Sequence, residues 1–176
     1  MPGKMLGKAS VSYNEPVYIR NSASVVGKKE GEGPLGLLFD YVGEDDLFGC
    51  NTWEEAESTL QKNAIYTALK KACVEPQQVR ILCAGDLLGQ SMASSFGVAS
   101  FNIPLLGLYG ACSTCGEGLM VASMLISAGY ADLAVSVTSS HLPARKGVSL
   151  SFGIRESTSL ICQLDSDRKW CFCIVK

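Results

Sequence analysis

Between residues 108 and 137 the sequence reads LYGACSTCGEGLMVASMLISAGYADLAVSV, and Glu117 and Asp132 are its only charges. This stretch constrains the fold most. Residues 115–129 have the composition of an apolar helix, with Gly129 placed to close it, and residues 132–140, DLAVSVTSS, read as a buried strand. A helix with so little polar surface is expected at the centre of the fold, covered on more than one side. A layered arrangement supplies that cover, since it packs helices against a shared sheet.

The rest of the chain repeats this alternation. VSYNEPVYIR and ASVVG alternate apolar and polar residues and predict short strands. GKKEGEGPLG reads as a charged surface loop. Its literal GxGxxG at Gly31, Gly33 and Gly36 lacks the strand–turn–helix context that gives the motif meaning, and Pro34 interrupts it. NTWEEAESTLQKNAIYTALKKA is the clearest helix, predicted over residues 52–72. Thr52 is its N-cap and Glu55 completes a capping box. Trp53, Ala56, Leu60, Ala64, Ala68 and Ala72 form one apolar stripe. Acidic residues precede lysines along it, as the helix dipole favours. A buried strand is predicted over 79–83, a loop at Gly85 and Asp86, and a second helix over 91–100. Strands alternating with helices give an α/β class with a layered, mixed sheet.

At 176 residues and a net charge of -2, the chain has length for one domain and no basic stripe for nucleic acid. No secretory signal opens it, so its eight cysteines are expected as thiols in a reducing compartment. No zinc or other metal site is expected, because the chain has a single histidine and no two spaced cysteine pairs. A membrane span needs about 20 mostly apolar residues, and the 108–137 stretch is too polar for one.

The chemistry centres on Cys112. It lies where an extended segment turns into a helix, and free N–H groups and the dipole there lower a thiol pKa. The same end of a helix binds carboxylates. Two mechanisms follow: acyl transfer through Cys112, or binding of an anion at the helix start, with Ser113 beside it. CSTC as a redox pair is a third, weaker reading. Cys73, Cys83 and Cys115 are expected buried and inert. Asp86 is either a loop cap or a ligand-site residue.

EPVYIR, EGPLG, WEEAE, LCAGDLLGQ, GACST and TSSH occur here in the order found in the stage V sporulation protein AD family, and the chain resembles that family over residues 14–141. The resemblance implies the N-terminal half of a thiolase-like αβαβα sandwich, related in fold to thiolases and ketoacyl synthases. It implies a binder of dipicolinic acid (pyridine-2,6-dicarboxylic acid), with no cofactor, serving the SpoVA membrane channel proteins. Those load dipicolinic acid into the spore and release it on germination. The place implied is the cytoplasmic face of the forespore or spore inner membrane, held peripherally, as a homodimer at full length. Cys112 matches the thiolase nucleophile, yet the family is regarded as non-catalytic. Cys112, Asp86 and Ser113 are the expected ligand-binding residues. The sequence departs at Cys115, where Ser is expected, and at Gly116, where a larger residue is usual. The alternative is a thiolase- or ketoacyl-synthase-like acyltransferase using Cys112.

From Leu142 onward the periodicity ends. The resemblance implies segments near TAERQFRFP and TVTGSGA in this region. Codons chosen for residues 144–152, read in a shifted frame, give PEREFRFP. Codons for residues 165–173 give TVTGSGAF in the same shifted frame. The expectation is therefore a thiolase-like half-domain over 1–142, then an out-of-frame or disordered tail over 143–176, without partner strands. The chain as given is then a truncated, non-functional form.

Overall fold

The computed structural model describes residues 3–45, 47–87 and 89–140, and the backbone of 170–175. Strands β1 (Lys4–Leu6) and β2 (Ser10–Ser12) pair antiparallel as a separate ribbon. Then come β3 (Asn21–Val26), a short helix α1 (Lys28–Gly31) and β4 (Tyr41–Val42). Helix α2 (Trp53–Ala72) leads to β5 (Ile81–Asp86), and α3 (Met92–Val98) to β6 (Leu105–Gly107). Helix α4 (Thr114–Ser127), β7 (Ala134–Ser140) and β8 (Trp170–Val175) follow.

The main sheet has the order β4-β3-β8-β7-β5-β6. β6, β5 and β7 run parallel, whereas β8 is antiparallel to both β3 and β7. Residues 170–175 therefore do have partner strands, which corrects the expectation that the tail pairs with nothing. WCFCIV is a continuous apolar run, the composition a sheet interior requires. The rest of the tail lies outside the described residues.

Strand alternation divides the core. Leu82, Ala84, Val135 and Val137 face α2, packing on Leu60, Ala64, Ile65, Ala68 and Leu69. Cys83 and Ala134 face the other way, onto Ala122 of α4. The result is a helix/sheet/helix stack, as the composition predicts. Two glycines set the spacing of its layers. A Cβ at Gly97 would come within 2.7 Å of the Ser58 carbonyl oxygen, and one at Gly118 would strike Ser136 Oγ. These small residues let α3 lie against α2, and α4 against β7.

The start of α2 is as read. Thr52 Oγ1 accepts from Glu55 N at 3.2 Å, although the Glu55 carboxylate reaches back to Asn51 N rather than to Thr52. Thr52→Ala should cost roughly 1 kcal/mol by removing that acceptor, measured as a lower urea midpoint with unchanged slope. At the other end Cys73 has φ 52 and is exposed. It is the left-handed C-cap, with Val74 N donating to Leu69 O. The expectation of a buried Cys73 is thus corrected: the chain must turn away from the core there. Gly129, φ 80, closes α4 as predicted.

α4 is not central. Thr114, Gly118 and Ala122 are buried on the sheet side, but Met120 and Met124 are exposed on the other. Its low polarity serves an outer face that nothing among the described residues covers fully.

Candidate functional site

The turn carrying Cys112 rests on the end of β5. Leu108 N donates to Ala84 O at 2.8 Å, and the chain then bends through Gly110 into one 3-10 turn, Ala111–Ser113, before α4 begins. Ala111 has φ 51, a left-handed conformation that is strained for a residue with a Cβ. Gly110 is held tightly too, since a Cβ there would collide with the Glu117 carboxylate and Ser113 Oγ. Gly110 N donates to Thr114 Oγ1 at 3.1 Å. Cys112 and Ser113 are adjacent and exposed, as a ligand mouth requires.

The geometry modifies the expected electrostatics. Helical hydrogen bonding starts at Thr114, so the 3-10 turn separates Cys112 from the positive end of α4. Glu117 already occupies that end, and Ser113 Oγ donates to its Oε1 at 2.5 Å. An incoming carboxylate would therefore compete with Glu117. Cys115 is half-buried and Cys83 fully buried. Burial raises both thiol pKa values, that of Cys83 to about 11, so neither is a ready nucleophile.

Asp86 lies elsewhere. β5 continues through Gly85 and Asp86, which pair with Thr138 and Ser139 of β7, so the expected loop is strand. Gly85 faces Thr114 and the Cys112 turn, and Asp86 therefore points to the opposite face. It is fully buried and accepts from Ser94 Oγ at 3.0 Å. The structure brings Cys112 and Ser113 together and leaves Asp86 across the sheet from them.

Asp86 belongs to a buried polar chain that the sequence reading missed. Gln61 Nε2 lies 2.7 Å from Ser139 Oγ, 3.0 Å from Ser94 Oγ and 3.1 Å from the Gly85 carbonyl oxygen. Ser139 Oγ donates to Glu57 Oε1 at 2.7 Å. Glu57 and Gln61 follow the apolar stripe of α2 by one position, and that placement was the available signal.

A cavity of about 460 Å³ is bounded by the segment 9–19, α4 and β7. Val11, Tyr13, Ile19, Gly116, Met120 and Ser136 are among its walls, and Tyr13 Oη bonds Ser123 Oγ at 2.7 Å. Gly116 is the lining residue nearest in sequence to the Cys112 turn.

The profile of the stage V sporulation protein AD family matches residues 7–147. The stage V sporulation protein AD of Bacillus subtilis is 36% identical over 138 residues, which are 78% of this chain and 41% of that protein. The chain thus spans well under half of that relative's length. Among solved structures, the 3-oxoacyl-[acyl-carrier-protein] synthase III of Aquifex aeolicus superposes with TM-score 0.56 at 15% identity, over 89% of this chain and 52% of that one. The corresponding enzyme of Xanthomonas oryzae gives TM-score 0.56 at 14% identity, over 89% and 55%. These likenesses identify the fold as the N-terminal half of a thiolase-like, ketosynthase-type sandwich.

Proposed function

The chain belongs to the stage V sporulation protein AD family, and on that footing we propose that the intact protein binds dipicolinic acid without catalysing acyl transfer. It serves the SpoVA membrane channel proteins from the cytoplasmic face of the forespore or spore inner membrane, as a homodimer. The observation that carries the reading is the exposed Cys112–Ser113 turn at the head of α4, a helix that also lines an apolar cavity. A ligand carboxylate would take the place of Glu117 on Ser113 Oγ, and the cavity along α4 offers a wall to the aromatic ring. Asp86, buried across the sheet from this turn, is left out of the proposed ligand mouth.

Acyl transfer would need a base beside Cys112. Among the described residues no histidine is present, and the chain's only one, His141, lies outside them. The ketosynthase fold keeps the acyltransferase as the rival reading.

Calorimetric titration with dipicolinate and labelling by acyl-CoA separate the two, using a protein that carries the remainder of the family's length. Cys112→Ser should change dipicolinate affinity by only about a few fold, since the local dipole is worth ~0.3–1 kcal/mol. Cys112→Trp should abolish binding by filling the mouth. Acyl-Cys112 formation without dipicolinate binding, or a loss of several hundred fold in Cys112→Ser, would favour the enzyme.

The coding frame, on the same reading, slips near Leu142, and the 176-residue form binds no dipicolinate. The family match ends at residue 147, a few residues beyond the proposed slip, and leaves the tail after it unmatched. Sequencing the DNA across the codons for residues 140–144 tests it: an unrelated downstream sequence would sink the idea.

A further inference from the structure

Glu57 on α2 and Asp86 on β5 are both buried, at 3% and 0% exposure. Among the described residues neither has a cation within ion-pair distance. Two serines and one amide connect them. Gln61 Nε2 approaches Ser139 and Ser94, and each hydroxyl hands its own proton to a carboxylate, Ser139 to Glu57 and Ser94 to Asp86. Among the described residues Asp86 Oδ1 has no hydrogen-bond partner. Two ionised carboxylates without a counter-ion are too costly in such a site, and groups so placed hold a proton instead.

We infer that the folded protein keeps a proton on Glu57 beside the buried Asp86, and that its loss loosens the junction of α2 and α3 with β5 and β7. The pair is thus a pH-sensitive lock within the core. The other charged group bearing on Glu57 is Glu54, also acidic. α3 and β7 present no ionisable side chain at all. Burial, with smaller contributions from Asp86 and Glu54, raises the Glu57 pKa from 4.5 to about 7, against the opposing hydrogen bond from Ser139. The lock therefore operates close to neutrality. Gln61 also contacts the Gly85 carbonyl, so the lock reaches the strand end beneath the Cys112 turn.

The sign follows from linkage. A carboxyl whose pKa is raised on folding stabilises the fold most below its unfolded value. That stability declines as pH rises from about 4.5 to about 7 and is flat above. The unfolding constant of the 176-residue chain should rise by up to about tenfold per pH unit across that range. Glu57→Gln keeps the shape and should remove this dependence. All other ionisable groups are common to both proteins and cancel in the comparison. Infrared difference spectra of the unaltered protein supply a second reading, which stands even if the variant fails to fold. A protonated-carboxyl band should disappear with a midpoint near 7. An unaltered slope in Glu57→Gln would overturn the inference, and so would the absence of such a band above pH 5.

Discussion

Gly85→Ala should both destabilise the fold and displace the Cys112 turn. A Cβ at this position would overlap Thr114 Cγ2 and the Leu108 carbonyl oxygen. Thr114 can rotate only by giving up the bond from Gly110 N, and Leu108 is tied to β5 through Ala84. The added methyl must therefore move backbone. Overpacking of this kind costs ~1–3 kcal/mol, a fall of several degrees in melting temperature for a chain of about this size. The specific sign is at the turn: amides of residues 110–114 should exchange faster, and Cys112 should react with a maleimide at a changed rate. A melting temperature within a degree of the parent, with unchanged thiol reactivity, would mean that the Gly85 contact is slack.

Leu60→Ala should be the more damaging change to stability alone. Leu60 is fully buried, among the largest side chains so enclosed, and packs in the cluster between α2 and the sheet. Removing it forfeits transfer free energy and leaves a cavity among rigid β-branched neighbours, which costs ~2–5 kcal/mol. Tyr66, on the opposite side of the same helix and 62% exposed, is the control, and Tyr66→Ala should stay within about 0.5 kcal/mol. Urea titration measures both. Equal losses at the two positions would show that the buried stripe has been assigned to the wrong face.

Where a signal was local, the sequence carried it. The Thr52 cap, the alanine and leucine stripe of α2 and the Gly129 stop all depend on neighbours within a turn or two, and all are found. The failures have a shared cause. Gly85 and Asp86 have the composition of a loop, but pairing with β7 extends the strand through them. Cys73 follows a buried stripe, but a helix end turns it outward. Glu57 and Gln61 look like ordinary polar residues of a helix surface, and only partners contributed by β5, α3 and β7 put them inside. For the candidate site, the structure puts Cys112 and Ser113 on an exposed turn. The interposed 3-10 turn and the carboxylate of Glu117 were not legible, because both depend on backbone geometry around Gly110 and Ala111.

The antiparallel β8 between β3 and β7 has a consequence for how the molecule is made. β3 is made early, and one of its two neighbours in the sheet, β8, follows only after every other described strand. Until residues 170–175 emerge, β3 and β7 each present an open hydrogen-bonding edge, and no other described strand joins the two halves of the sheet. Pairing between segments so distant along the chain closes slowly. During that interval the open edges are free to take strands from other nascent chains. Yield of this protein should therefore depend on synthesis rate and chaperone supply more than its finished core would suggest.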